Sequence, residues 1–174
     1  MIPFLPSYIP PDVDMNQVKA DVADDGVSAP PADAADVPAL RQVVADARKD
    51  DIDLKIVVIE HNPPIDTPLR DIATEVGRTY PDATVLAISP SFAGTYSTHF
   101  DRVTLEAGQD VAKTGDPVQS SKNFVSELTT QHFPWTPFTI VLVLGVIAAV
   151  AVTRVLQVRG KRAAAADADS DTAD

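Results

Sequence analysis

Apolar residues recur along this chain with two different periods. Val37, Leu40, Val43, Val44 and Ala47 fall three or four apart, and so do Leu69, Ile72, Ala73, Val76 and Tyr80. That spacing gathers each set on one face of a helix. The first helix is predicted to begin near Asp36 or Val37, with Asp36 as N-cap and Pro38 in the first turn. The second opens at Asp66 or Thr67, with Pro68 in its first turn. Met15, Val18 and Val22 mark a short helix within 15–25, and Val118, Phe124, Val125 and Leu128 mark another that starts at Asp116-Pro117. Between the helices, Leu54 to Glu60 is a continuous β-branched run that reads as a strand buried on both faces, and Ala83 to Ser89 reads as a second strand. A glycine-containing loop from Pro90 to His99 follows, and Phe100 to Glu106 is a candidate third strand running back beside the second. Residues 1–14 are proline-rich and extended, and Gly26 to Asp36 reads as a linker or long loop.

Helix, strand, helix, strand in that order implies a right-handed crossover and neighbouring parallel strands. The predicted fold class is therefore α/β, a three-layer sandwich around a small, mostly parallel central sheet of three or four strands. The expected organisation is an extended segment with a short helix over 1–35, then the α/β domain over 36–132. A membrane span over 136–157 and a tail over 158–174 complete it.

The span rests on a run without charge from Thr136 to Thr153. Continued through Arg154 to Gln157 it reaches about 22 residues, and at ~1.5 Å rise each these cover roughly the 30 Å hydrocarbon core. A very apolar buried helix is the alternative, but β-branched residues face every side of this one. Trp135, with Phe133 just before it, is placed as an interfacial aromatic anchor, and Arg154 can snorkel to the far interface. Arg154, Arg159, Lys161 and Arg162 follow the span, whereas the nearest basic residue before it is Lys122. The positive-inside bias then puts the tail in the cytoplasm and residues 1–135 outside the membrane. The prolines of Met1-Ile2-Pro3-Phe4-Leu5-Pro6 do not read as a cleavable signal peptide, so a tail-anchored protein with a cytosolic domain is the competing arrangement. The alanine- and aspartate-rich tail after Arg162 is expected to be disordered.

Charge sharpens this picture. The formal net charge is -11, and the four basic residues and four aspartates after Thr153 cancel, so the whole excess lies in residues 1–135. A domain this acidic repels nucleic acid over a Debye length of roughly 8–10 Å, which argues against nucleic-acid binding. There is no cysteine, so disulfides, thiolate metal sites and cysteine nucleophiles are all excluded.

In an open α/β sheet, ligands sit beyond the C-terminal ends of the strands. Those ends are Glu60-His61-Asn62 and Ser89-Pro90-Ser91, a group that could bind a metal or support hydrolysis. The spacing matches no metal-ligand signature, and Ser91 lacks the Gly-x-Ser-x-Gly context of a nucleophile elbow. The more economical reading has His61 and Asn62 satisfying backbone groups at the strand ends. No cofactor is expected. Asp12-Val13-Asp14 resembles part of a calcium loop but lacks its glycine and distal glutamate, and reads better as solvated charge. Asp24-Asp25 and Asp50-Asp51 read as surface charge at helix ends. The loop from Ser91 to His99 sets Phe92 and Tyr96 among small polar residues, a mix that suits a partner-binding surface including His99 and, from the strand end, His61. The alternative is that Phe92 and Tyr96 fold back onto the core.

Several segments together resemble a small actinobacterial membrane-protein family related to the TPM domain. They are Ile9-Pro10-Pro11-Asp12-Val13, Ile56-Val57-Val58-Ile59-Glu60, Leu69-Arg70-Asp71-Ile72-Ala73, Thr84-Val85-Leu86-Ala87-Ile88-Ser89-Pro90, Gly94-Thr95-Tyr96-Ser97 and Arg102-Val103-Thr104-Leu105-Glu106-Ala107-Gly108. The resemblance implies a domain on the outer side of a membrane beside a single span. It also implies control of cell-wall hydrolysis during cell separation, through contact with an extracytoplasmic NlpC-type peptidoglycan endopeptidase of the RipA kind. On that reading the chain is a non-enzymatic regulator whose partners are the endopeptidase and the lipid bilayer. A TPM-type phosphatase, or a structural subunit of a membrane complex packing through Gly145 and Ala148/Ala149, are the alternatives.

Overall fold

A computed structural model describes residues 8–130 and 135–171 and divides the chain into two units, Met1–Thr130 and Gln131–Asp174. The first holds a four-stranded sheet in the order β1-β2-β3-β4: Val27–Ser28, Leu54–Val58, Thr84–Ile88 and Ala93–Tyr96. β1, β2 and β3 run parallel, and β4 folds back antiparallel on β3. Five helices surround it: α1 (Met15–Asp24), α2 (Val37–Ala47), α3 (Thr67–Thr79), α4 (Arg102–Val111) and α5 (Pro117–Thr129).

Every residue of β2 and β3 is buried, Lys55 and Thr84 included, and the apolar side chains alternate between two separate cores. Leu54, Ile56, Val58, Leu86 and Ile88 pack with α2 residues Leu40, Val43, Val44 and Ala47, with Leu105 of α4, and with Phe124 and Leu128 of α5. Val57, Val85 and Ala87 point the other way, against Val18 and Val22 of α1 and Leu69, Ile72, Ala73 and Val76 of α3. This is the three-layer α/β sandwich that the periodicities predict.

α2 connects β1 to β2 and α3 connects β2 to β3, both stepping in the same direction across the sheet, yet the two helices pack on opposite faces. The two crossovers are therefore of opposite hand. Strand twist enforces the right-handed rule, and β1 has only two residues through which to express it.

Several expectations from sequence are corrected. Phe100 to Glu106 is not a strand: Asp101 caps α4, its carboxylate accepting the Thr104 N–H at 2.8 Å, and Leu105, Gly108 and Gln109 form a buried face at helical spacing. The strand beside β3 lies earlier, in the stretch read as loop. Its small residues are what the packing needs, since a Cβ on Gly94 would come within 2.4 Å of the α3 backbone at Arg70. Gly26 to Asp36 is not a plain linker, because it carries β1 and a 3-10 turn over Pro31–Asp33; two residues give too little alternation to read as a strand. α1 packs on α3 within the first unit, so residues 15–24 belong to the α/β domain.

Among the described residues the second unit is one helix, α6, over Trp135–Asp171. Within it Pro137–Lys161, 25 residues, is apolar and long enough to cross a bilayer, and none of that stretch is buried. α6 continues to Asp171 where the composition predicts disorder; the run Ala163 to Ala166 is made of the residue with the highest helix propensity.

Candidate functional site

Parallel strands end together, so the C-terminal edge of the sheet collects the loops after β1, β2 and β3. Three cavities adjoin there. One of about 190 Å³ lies between Asp33 of the 3-10 turn, Glu60, Ser89-Pro90 and Asp116 at the start of α5. A second, of about 430 Å³, shares Val58, Ile59 and Glu60 with the first and reaches Asp12, Asp14, Asp21 and His61. The third, of about 200 Å³, continues past His61 to Tyr8, Asp12, Asn62 and Pro63. No Lys or Arg lines any of the three.

The acids at this edge are partly engaged in structure. Asp14 caps α1 by accepting the Asn16 N–H at 2.9 Å, Asp116 caps α5 by accepting the Gln119 N–H at 2.7 Å, and Asp21 accepts the Ser28 hydroxyl at 3.0 Å. Among the described residues none of Asp12, Asp14, Asp21, Asp33, Glu60 and Asp116 stands in an ion pair. Partial burial, then the charges of Asp36 and Glu60, hold the Asp33 carboxyl above the usual aspartate range.

Asn62 sets the form of the edge. Its Oδ1 accepts the Ser91 N–H at 2.8 Å and the Ser89 hydroxyl at 2.9 Å, and its Nδ2 donates to Ser91 Oγ at 3.0 Å. One side chain thus fastens the loop after β2 to the turn between β3 and β4, as the economical reading of Asn62 expects. A carboxamide cannot take a proton from a hydroxyl, so this arrangement does not activate either serine as a nucleophile. Among the described residues there is no group of three or more His, Asp or Glu placed to hold a metal ion.

The four residues expected to bind a partner do not form one patch. Phe92 and Tyr96 are half-buried against the core on the α3 side, and the Tyr96 ring lies over Gly77, where a Cβ would come 2.0 Å from it. His61 and His99 are exposed, but β4 runs antiparallel and carries His99 to the opposite end of the sheet from His61. Of the membrane-anchor residues, Arg154, Arg159 and Lys161 lie on α6 at its exposed end. Phe133 lies outside the described residues, as do the side chains of Trp135 and Arg162.

A family model described as "Membrane protein Rv1476" matches residues 8–167. The chain belongs to the Rv1476 membrane-protein family. Membrane protein Rv1476 of Mycobacterium tuberculosis strain H37Rv is 63% identical over 163 residues, covering 94% of this chain and 86% of that one. Among solved structures, the N-terminal domain of the cg2496 protein from Corynebacterium glutamicum is similar at a TM-score of 0.48 and 11% identity, over 73% of this chain and 91% of that one. Membership agrees with the single apolar helix near the C-terminus.

Sequence reasoning missed Asp33, which reaches the edge from a proline-rich stretch read as linker, and Asp116, assigned only to a helix start. It also missed Lys55, whose alternate position in β2 puts it on the α3 side. Lys55 is 8% exposed, its Nζ 3.4 Å from Asp53 and 5.5 Å from the centre of the Tyr80 ring.

Proposed function

We propose that this chain is a non-enzymatic, membrane-tethered regulator whose α/β domain lies outside the membrane. There it binds and activates an extracytoplasmic peptidoglycan hydrolase of the RipA-type NlpC class during cell separation. The observation that carries the binding role is the C-terminal edge of the sheet: three adjoining cavities lined by six carboxylates and by no Lys or Arg. Such an edge suits a basic surface on a partner, which it attracts before contact and whose wrong orientations it disfavours. The resemblance to TPM-related proteins supports the cell-wall role, and the basic residues after the span support the outward orientation.

The mechanism follows from tethering and differential affinity. One span confines the domain to the membrane plane and raises its effective concentration near envelope partners. Activation of an autoinhibited hydrolase requires that the domain bind the open form more tightly than the closed one. The serines at the edge are held by Asn62, which supports a binding role over hydrolysis.

The test is peptidoglycan cleavage by a purified RipA-type endopeptidase with and without the full-length chain in nanodiscs. The expected result is a saturable rise in rate that weakens in Asp33→Lys and Glu60→Lys variants and falls with added salt. No binding and no change in rate at high micromolar chain overturns the proposal.

A further inference from the structure

The opposite margin of the sheet has different chemistry. β4 is the free edge strand on that side. The β3–β4 turn closes with the Ser89 N–H donating to the Phe92 carbonyl at 2.9 Å, which fixes the alternation along the strand. Phe92, Gly94 and Tyr96 therefore turn their peptide groups toward β3, and Ala93, Thr95 and Ser97 turn theirs outward. Ala93 is fully buried, so the accessible stretch is Thr95 to Ser97. That stretch floors a groove of about 260 Å³ whose walls are Arg70 and Thr74 of α3 and Arg102, Leu105, Glu106 and Gln109 of α4.

Two features say what the groove takes. Gln109 lines the groove, its stem buried, and its carboxamide is not among the buried polar groups lacking a partner, so it meets the groove's solvent. An accessible amide, donor and acceptor together, matches a peptide group of an incoming chain. Arg70 and Arg102 flank it, two of the few cations on a domain whose charge is -11. Each is paired only with an acid one turn away on its own exposed helix face, Asp66 and Glu106, a contact weak enough to be exchanged.

We infer that the outer edge of β4 is a docking groove for an extended, acidic segment of a partner protein, which adds to the sheet as a fifth strand. The guest's backbone pairs with Thr95 and Ser97, Gln109 bonds one of its peptide groups, and Arg70 and Arg102 meet its carboxylates. This surface is separate from the acidic edge around Glu60, and unlike that edge it carries arginines.

The experiment titrates a fluorescent peptide of about ten residues, alternating valine and glutamate, against the full-length chain in nanodiscs. Two controls are a valine–lysine peptide and the acidic peptide N-methylated at alternate residues, which removes the donors a strand needs. Saturable binding of the acidic peptide is expected, with both controls weaker by roughly tenfold or more. Arg70→Glu with Arg102→Glu should reverse the charge preference, and Gln109→Leu should weaken binding without lowering Tm. Equal binding of the acidic and N-methylated peptides, absence of charge preference, or no saturation overturns the inference. A β4-mediated dimer that binds no peptide overturns it too, by assigning the edge to a second copy.

Discussion

At the scale of single residues, Asn62 and Asp33 carry opposite roles on one edge. Replacing Asn62 with Ala removes the acceptor shared by Ser89 Oγ and the Ser91 N–H, so the turn loses its fastening to the loop after β2. The expected cost is about 1–2 kcal/mol, read as a fall in Tm of roughly 3–8 °C. Asp33→Asn should act the other way. A carboxyl whose pKa is raised by folding opposes the fold as pH climbs through that raised value, so the variant should melt higher than the parent at neutral pH. The gain should disappear in acid, where both side chains are neutral. Tm measured for both proteins across pH checks this. The Glu60-His61-Asn62 and Ser89-Pro90-Ser91 pairing was legible in the sequence because adjacent parallel strands must end side by side. Asp33 and Asp116 were not, since they arrive from a proline-rich turn and a helix start whose placement depends on tertiary packing.

At the scale of elements, α1 is held to α3 by Lys19 and Glu75, whose Nζ and Oε1 lie 2.7 Å apart with both side chains partly buried. The hydrogen bond from Lys19, assisted by Arg78, keeps the Glu75 carboxyl below its ordinary value of about 4.5. Because the folded value is depressed, the bridge stabilises fully above pH 4.5 and is lost as pH falls through the lower, folded value. Glu75→Gln should therefore melt lower than the parent by an amount worth about 0.5–1 kcal/mol at neutral pH, and the gap should close in acid as the Glu75 carboxyl takes its proton. Gly94→Ala tests the packing of β4 on α3. Its Cβ would meet main-chain atoms of Leu69 and Arg70 rather than a side chain able to swing away, and the expected loss is about 1–3 kcal/mol by denaturant unfolding. The helices and buried strands were legible because their apolar periods are long. β4 and α4 were exchanged for a loop and a strand because small residues hide a strand, while Phe100, Val103 and Leu105 mimic one. Val103 is 76% exposed, so its apolar character carried no information about the core.

At the scale of the whole molecule, two facts organise the account. One helix is apolar and unburied over Pro137–Lys161, in a chain of a membrane-protein family, and the formal charge excess lies entirely before it. Both were legible, because spans and net charge are sums over many residues and survive local misreading. The opposite hand of the two crossovers was not, since handedness depends on strand twist and β1 is too short to announce itself. The absence of cysteine makes the proposed outward orientation directly testable. Single-cysteine variants Val103→Cys, at an exposed position of α4, and Ser170→Cys, in the tail, are expressed separately in whole cells and treated with a membrane-impermeant maleimide. Labelling of Val103→Cys alone is the predicted result and places the acidic edge where a cell-wall hydrolase can meet it. Labelling of Ser170→Cys alone would put the domain in the cytoplasm and contradict the proposed role.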